Sequence, residues 1–324
     1  MRALASPASC KGVLSAVEAA MALAAGMRAA GVDAEELPVA DGGEGTAEVF
    51  AAALGGEWRS TAVSSPLGGQ TVARYLVLED GGAVVEAAEA IGLRLVRDRP
   101  LDPLSATSRG LGELMALVAR ETSGSILVGL GDTATVDGGA GLLEAVGEEL
   151  GGRDVQVLCD VRSPLLGERG AARAFGPQKG ASPAQVDELE RRLSEMDVLR
   201  PFAQLPGAGA AGGLGAALAS LGARLESGAQ LVLERIDFRA QAAGADLVVT
   251  GEGAIDRSSI EGKAVGEVLR ACRELSVRCE LFGGRVDEAP PGTSPHALSG
   301  DESRAADDLV ELGGRLGRAL LGVA

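Results

Sequence analysis

Five glycine-rich segments hold the residues that could do chemistry, at positions 9–12, 41–46, 131–139, 176–180 and 250–256. Each segment also contains a carboxylate, an amide or a lysine. Glycine lets backbone N–H groups approach a phosphate closely, and a helix that begins after the loop adds a favourable potential. Carboxylates fit beside phosphate when Mg²⁺ lies between them, because Mg²⁺ is bound by one or two carboxylates plus phosphate oxygens. Together these groups are typical of phosphoryl transfer, whereas any one segment alone is more often only a turn.

Lysine is rare in this sequence, and each lysine stands beside glycine. The 30 basic residues include only Lys11, Lys179 and Lys263. A compact ammonium on a flexible stem suits a single phosphate or carboxylate oxygen, whereas a planar guanidinium is larger. We therefore expect the three lysines to neutralise phosphates and a substrate carboxylate. The alternative is that they are ordinary solvated side chains.

The scarcity of histidine argues against two common kinds of active site. His296 is the only histidine, and it lies in a segment rich in proline, serine and glycine at 290–300. A Ser-His-Asp triad or a histidine-based zinc site would have to be centred on that residue. We interpret His296 as a loop residue without a catalytic role.

Charge and cysteine usage limit the partners and the compartment. The formal net charge is −16, and no basic face of the kind that nucleic-acid binding needs is visible. No apolar run approaches the ~20 residues needed to span a bilayer. The four cysteines form no C-x-x-C pair, which predicts reduced thiols. We expect a cytoplasmic protein, monomeric or homodimeric, that binds neither nucleic acid nor membrane.

Glycine patterns of other nucleotide-binding proteins are absent or poorly placed. The sequence has no G-x-x-x-x-G-K-[ST], which excludes a Walker-type kinase. Residues 207–212 match G-x-G-x-x-G, but no predicted strand precedes them. Residues 129–134 follow a predicted strand and fit G-x-G-x-x-A, which leaves a dinucleotide-dependent oxidoreductase open as a weak alternative.

The elements that would position these segments alternate between strand and helix at both ends of the chain. Apolar spacing predicts strands at 2–6, 34–39, 245–250, 277–282 and near 297. It predicts helices at 11–30, 43–54, 262–275 and 302–321. This alternation indicates a parallel sheet covered by helices. Two strands from the front and three from the back give a five-stranded doubly wound α/β sheet.

The middle of the chain has a different pattern. Residues 57–86 alternate as strands around glycine-containing hairpin turns at 68–69 and 80–82. Further strands are predicted at 125–130 and 156–159, with helices at 105–120, 183–199 and 211–225. We therefore predict a second α/β domain, residues 56–239, inserted into a discontinuous domain of residues 1–55 and 240–324. We expect the two domains to face each other across a cleft.

Eight segments, taken in order, resemble the bacterial glycerate kinase family. They are 7–16 (PASCKGVLSA), 39–46 (VADGGEGT), 106–114 (ATSRGLGEL), 129–142 (GLGDTATVDGGAGL), 159–165 (CDVRSPL), 175–181 (FGPQKGA), 206–215 (PGAGAAGGLG) and 245–263 (ADLVVTGEGAIDRSSIEGK). The resemblance implies a flavodoxin-like domain with an inserted domain similar to restriction endonucleases. It also implies ATP-dependent phosphorylation of D-glycerate, more often to 2-phosphoglycerate than to 3-phosphoglycerate.

The residues and the resemblance together suggest a set of site residues. Those expected at the reacting groups are Lys11, Asp137, Asp160 and Lys179, with Asp137 or Asp160 as acceptor of the hydroxyl proton. Those expected to bind glycerate are Ser9, Asp41, Gly42, Gly43, Glu44 and Thr107. Those expected to bind ATP are Gly131, Thr133, Thr135, Gly138, Gly139, Gly251, Gly253 and Lys263. Those expected to hold Mg²⁺ are Glu252 and Asp256.

Three departures from the family pattern keep a second function open. The family usually has Asp where this chain has Ala8 and Arg where it has Ala254. It usually has Gly-Ser…Asn where this chain has Asp132, Thr133 and Val136. The loss of an acid and an arginine from site segments favours the alternative of a catalytically weakened or non-catalytic binder of a small organic anion.

Overall fold

The computed structural model describes residues 1–260 and 262–323. Its strands are β1 Arg2–Ala5, β2 Asp33–Glu36, β3 Glu57–Ser64, β4 Gln70–Val77, β5 Ala83–Glu86, β6 Ile126–Gly129, β7 Val155–Leu158, β8 Arg224–Glu226, β9 Leu247–Ile255, β10 Cys279–Val286 and β11 His296–Ala297. Its α-helices are α1 Ala16–Ala29, α2 Thr46–Leu54, α3 Ala87–Ile91, α4 Arg109–Glu121, α5 Ala140–Val146, α6 Ala171–Phe175, α7 Pro183–Ser194, α8 Ala210–Ser220, α9 Gly228–Arg235, α10 Phe238–Ala243, α11 Ala264–Leu275 and α12 Ala305–Leu321. Within the described residues, none of these helices combines the length and the apolar character needed to cross a membrane.

The chain divides into two compact units, and the first contains both ends of the chain. Unit 1 comprises Met1–Asp41, Glu48–Leu54 and Gly228–Ala324. Its five strands form an all-parallel sheet in the order β11-β10-β9-β1-β2. This is the flavodoxin-like order, in which β2 lies on one side of β1 and the later strands β9, β10 and β11 follow on the other side. The predicted five-stranded doubly wound sheet is confirmed.

Unit 2 is a mixed α/β structure of residues Gly42–Ala47 and Gly55–Ser227. Its sheet has the order β3-β4-β5-β6-β7-β8. The first three strands are antiparallel neighbours, as the alternating pattern and the glycine turns predicted. The strands from β5 to β8 are parallel, so their carboxyl ends lie at one edge of the sheet.

Several element boundaries differ from those predicted. Helix α1 begins at Ala16 rather than at 11, because Ser15 and Glu18 form a reciprocal capping box. The predicted helix 211–225 ends at Ser220, and the chain then forms β8, which pairs with β7. The predicted strand 245–250 continues to Ile255, because β10 runs beside it as far as Val286.

The division into units also falls at different residues from the predicted domain limits. Residues 228–239, which we expected in the inserted domain, lie in unit 1. The reason is that α9 and α10 pack against α11. Residues 42–47, which we expected in the first domain, lie in unit 2.

Helices α1 and α12 of unit 1 pack closely because glycine lies at their contact. A Cβ atom added at Gly313 would overlap the carbonyl oxygen of Leu23 and lie 3.1 Å from the Met27 nitrogen. At the next position, Gly314, an added Cβ would have no neighbour closer than 3.5 Å. The two adjacent glycines therefore differ in whether a methyl group fits.

This difference predicts opposite effects for two alanine substitutions in α12. Gly313→Ala should lower the free energy of unfolding by about 1–3 kcal/mol, because the helices must separate. Gly314→Ala should raise it by up to about 1 kcal/mol, because alanine is the better helix former. Urea unfolding measures both values, and equal effects of the two substitutions would contradict the packing described here.

Candidate active site

In unit 1, two predicted segments lie side by side at the carboxyl edge of the sheet. The chain leaving β1 stays hydrogen-bonded to β9, with Ser6 N donating to Val249 O (2.8 Å) and Ala8 N to Gly251 O (2.9 Å). Further on, a Cβ added at Gly253 would lie 3.2 Å from the Cys10 Cα. The structure thus brings the segment that holds Ser9 and Lys11 next to the segment that holds Gly251, Glu252 and Gly253.

Glu252 is the half-buried acid of this edge. Its Oε1 atom is buried and has no hydrogen-bond partner among the described residues. Burial raises the pKa of the Glu252 carboxyl, and the charges of Asp41 and Asp256 raise it further. A hydrogen bond with Ser259 and the charge of Lys263 act in the opposite direction. Four residues predicted from sequence (Asp41, Glu252, Asp256 and Lys263) are therefore close enough to interact.

Sequence reasoning missed Ser259, which interacts with two acids of this cluster. The Ser259 side chain is fully buried, and its Oγ accepts a hydrogen bond from Asp256 N (3.1 Å). Its own backbone N–H donates to Asp256 Oδ1 (3.2 Å). Two hydrogen bonds thus join Ser259 to Asp256, and the same serine lies close enough to Glu252 to influence the pKa of its carboxyl. No sequence pattern marks this serine, because its partners are set by the turn that follows β9.

The predicted metal ligands can be tested against this geometry. Among the described residues, no group of three or more histidine, cysteine, aspartate or glutamate side chains is arranged to hold a metal ion. Mg²⁺ needs fewer protein ligands than that, because phosphate oxygens and water complete its octahedral shell. Mg²⁺ is bound by carboxylate oxygens, and Glu252 keeps one without a partner among the described residues, so Glu252 and the nearby Asp256 are chemically compatible with the ion.

In unit 2, residues 42–47 lie against the carboxyl ends of three parallel strands. Gly42 O accepts a hydrogen bond from Gly131 N (3.3 Å), just after β6. A Cβ added at Gly42 would lie 2.6 Å from Leu158 O at the end of β7, and one added at Gly131 would lie 2.6 Å from the Gly43 Cα. Glycine at 42 and 131 therefore permits the contact. The structure brings Gly42, Gly43 and Gly131 together.

Glu86, at the end of β5, was not singled out from the sequence. Its side chain is 6% exposed. Its carboxylate accepts hydrogen bonds from Gly45 N (3.2 Å) and Ala47 N (2.7 Å), at the start of α2. A carboxylate is favourable there because the first N–H groups of a helix lack intrahelical partners. Glutamate at a strand end gives no sequence signal of this contact, because its partners lie about forty residues earlier.

Glu44 of the same segment takes part in a chain of ion pairs. Arg94 Nε lies 3.7 Å from Glu44 Oε1, and Arg94 Nη2 lies 3.1 Å from Glu89 Oε1. Glu89 is buried and also pairs with Arg74 at 3.1 Å. The arginine therefore offsets part of the negative charge of Glu44 and Glu89.

Asp137 is held by backbone and hydroxyl groups of unit 2. Its Oδ2 accepts hydrogen bonds from Ser108 N and Ser108 Oγ, both at 2.8 Å, and from Gly141 N at 3.3 Å. Its Oδ1 accepts one from Gly139 N at 3.1 Å. These contacts join the starts of α4 and α5. Asp137 thus holds the 131–139 segment in place.

Lys179, which we expect to neutralise phosphates or a substrate carboxylate, has a buried side chain. Its side chain is 3% exposed, and Nζ donates to Thr133 Oγ1 (3.1 Å) and Thr135 O (2.8 Å). Burial lowers the pKa of Lys179 to about 7, while the charges of Asp137 and Asp132 oppose that shift. The hydroxyl of Thr135 is buried and has no partner among the described residues. The ammonium therefore ties the 131–139 segment to the turn Pro177–Lys179.

The remaining predicted residues of unit 2 differ in how they are engaged. Asp160 follows β7, is half-buried, and accepts a hydrogen bond from Ser227 Oγ at 2.9 Å through Oδ1. Thr107 is half-buried and its Oγ1 accepts from Arg109 N at 3.2 Å. Gly138 and Gly139 are buried, and Gly138 N donates to Gly212 O at 3.0 Å. Asp160 thus lies just after the end of β7, and Ser227 is its hydrogen-bond donor.

Comparisons with known proteins bear on the fold and on the family. The chain matches the family described as the glycerate kinase family over residues 3–154 and 148–300. It is 41% identical over 303 residues to a glycerate 2-kinase of Escherichia coli (strain K12), covering 81% of this chain and 80% of that protein. It is 38% identical over 338 residues to a glycerate kinase of Bacillus subtilis (strain 168), covering 92% of this chain and 88% of that protein.

A crystal structure from Salmonella typhimurium LT2, described under the name glycerate kinase 2, has the same fold. It aligns with a TM-score of 0.88 and 32% sequence identity, covering 99% of this chain and 98% of that one. The predicted α/β architecture and the predicted kinase class are confirmed, and the oxidoreductase alternative has no support. The matched residues include every site segment described above, and the chain belongs to the glycerate kinase family.

Proposed function

We propose that this protein transfers the terminal phosphoryl group of MgATP to the 2-hydroxyl of D-glycerate. The observation that carries the proposal is the acid and lysine cluster of unit 1, in which Glu252 keeps one buried oxygen without a protein partner. A carboxylate left in that state is costly unless a cation or a proton donor occupies the site. A metal–phosphate complex supplies such a cation.

In this proposal, unit 1 contributes the charged groups that bind the phosphates and the metal ion. Lys263 precedes α11 and Lys11 follows β1, and both would offset phosphate charge near the backbone of Gly251 and Gly253. Glu252 and Asp256 would hold Mg²⁺. When bound, the ion would neutralise charge on the phosphate oxygens. For residues 131–139 we propose that backbone rather than the buried Thr133 and Thr135 side chains faces the nucleotide.

We propose Asp160 rather than Asp137 as the proton acceptor. Both oxygens of Asp137 already accept hydrogen bonds, four in all, so a proton there would displace a donor. Asp160 follows β7 at the carboxyl edge of the parallel strands, where the Ser227 hydroxyl donates to its Oδ1 (2.9 Å) and orients the carboxylate. The oxygen of the glycerate hydroxyl would form the new bond to phosphorus, ADP would leave, and the hydroxyl proton would pass to the Asp160 carboxylate. Ser9, Asp41, Gly42, Gly43, Glu44 and Thr107 would bind the rest of glycerate.

The free thiols support a cytoplasmic location, which we include in the proposal. All four cysteines are unpaired, as expected in a reducing compartment. Burial raises the pKa of Cys10 to about 11 and that of Cys159 to about 11. Both thiols are therefore protonated and unreactive at neutral pH.

The direct test supplies D-glycerate and MgATP and follows ADP release in a coupled assay. We expect one ADP per phosphoglycerate, a phosphorus NMR spectrum of the 2-phospho isomer, and loss of turnover when EDTA removes Mg²⁺. Glycerate and ATP that raise the unfolding temperature without ADP release would instead favour the non-catalytic anion binder.

The two aspartates of unit 2 should respond differently to the same substitution. Asp160→Asn should lower kcat by about 10²–10⁴-fold, the usual contribution of a proton-accepting group. Asp137→Asn should lower the free energy of unfolding by about 1–3 kcal/mol, because its amide would face N–H donors. Steady-state kinetics and urea unfolding measure these values. If Asp160→Asn had the same kcat as the unaltered protein, Asp160 would not be the proton acceptor.

The buried Lys179 predicts a pH-dependent stability. Its pKa is about 7 in the folded chain against 10.5 for an ordinary lysine, so above pH ~7 the unfolded chain binds more protons. This group therefore makes the free energy of unfolding rise with pH up to ~10, by at most about 1.4 kcal/mol per pH unit. Lys179→Met should show a shallower rise between pH ~7.5 and ~9.5 in urea unfolding. An identical slope in the two proteins would contradict a neutral buried amine.

A further inference from the structure

The segment that would bind glycerate is fixed at its amino-terminal end by backbone contacts. Gly42 O accepts the N–H of Gly131, and the Gly42 backbone packs on Leu158. Within the segment, the Thr46 hydroxyl donates to Gly43 O at 2.7 Å. These contacts hold the start and the middle of residues 42–46, so the carboxyl-terminal end needs its own attachment.

Glu86 supplies that attachment. Its two carboxylate oxygens accept separate hydrogen bonds, Oε2 from Gly45 N and Oε1 from Ala47 N. The side chain is 6% exposed, so water competes little for these oxygens, and hydrogen bonds to a charged acceptor are the stronger kind. The carboxylate spans the junction between the segment and helix α2. The orientation of the segment is thereby tied to the end of β5.

We infer that Glu86 is a positioning residue that sets the conformation of the glycerate-binding segment 42–46, an inference that rests on the proposed function. It does not touch substrate. It acts through the backbone of Gly45 and Ala47, and so determines where Gly43 and Glu44 lie.

The same contact restricts the kind of group that the segment can bind. The N-terminus of a helix normally attracts phosphate or carboxylate. At α2 that position is taken by the negative charge of Glu86, and Glu44 adds a second carboxylate in the segment. A phosphate there would meet two like charges, of which Arg94 offsets only part of that on Glu44, whereas a hydroxyl could donate to a carboxylate. The segment therefore suits the hydroxyl groups of glycerate rather than the phosphates of ATP.

The test compares Glu86→Gln with a matched control in the same unit, Glu113→Gln. Glu113 accepts three hydrogen bonds, from Ser64 N (2.7 Å), Ser64 Oγ (2.9 Å) and Arg109 Nε (3.0 Å), all outside the segment. The amide introduced by Glu86→Gln would present one acceptor and one donor to two N–H groups. We expect the KM for glycerate to rise about tenfold in Glu86→Gln, the effect of one lost charged hydrogen bond. The KM for ATP should change less than about threefold, and Glu113→Gln should change neither KM more than about twofold.

Hydrogen–deuterium exchange gives a second readout that does not depend on turnover. Peptides covering 43–47 should exchange about tenfold faster in Glu86→Gln than in the unaltered protein, and at the unaltered rate in Glu113→Gln. Unchanged exchange, or faster exchange with an unchanged KM for glycerate, would overturn the inference. If the unaltered protein does not phosphorylate glycerate, the proposed function fails and the glycerate role of Glu86 fails with it. The exchange result would still decide whether Glu86 holds the segment.

Discussion

The close contact between residues 42–47 and the carboxyl ends of parallel strands is the constraint on which the candidate site of unit 2 depends. A Cβ at Gly129 would lie 2.6 Å from Gly42 O, and similar overlaps follow at Gly42 and Gly131. Glycine at these positions lets backbone meet backbone, and Glu86 then fixes the far end of the segment. The position of Glu44 is therefore set by main-chain packing, before its own side-chain contacts are considered.

The acidic residues discussed above differ in whether the protein satisfies the hydrogen-bonding capacity of their carboxylate oxygens. Asp137 and Glu86 accept several hydrogen bonds from backbone N–H groups, which satisfies their charge and fixes the chain around them. Glu252 is half-buried with an oxygen that no described protein group satisfies, and burial raises the pKa of its carboxyl. A satisfied carboxylate stabilises its surroundings, whereas an unsatisfied one stabilises whatever cation or donor binds to it. Hydrogen-bond satisfaction therefore distinguishes acids that hold the chain in place from acids that would bind a ligand. The presence of an acid in a segment does not.

The sequence predicted the parts of the fold that rest on local patterns. Apolar spacing located the strands of unit 1, and glycine turns located the β3–β4–β5 hairpins. It failed at β8, because a three-residue strand carries too little alternation to distinguish it from the end of a helix. It also missed Glu86 and Ser259, whose roles come from backbone N–H groups that only the folded chain brings near. Residue types indicated the chemistry, but hydrogen-bond satisfaction could not be predicted from spacing.

Charge balance explains why the proposed reaction needs a divalent ion. Of the three lysines, Lys179 already donates to Thr133 and Thr135 inside unit 2. Lys11 and Lys263 lie in unit 1, which also contains Asp41, Glu252 and Asp256. These two ammonium groups are fewer than the three carboxylates, and a chain with a net charge of −16 adds no attraction for a polyanion. In the proposed reaction, a divalent cation that arrives with the triphosphate would offset this negative charge, and the carboxylates that would repel ATP alone would favour MgATP.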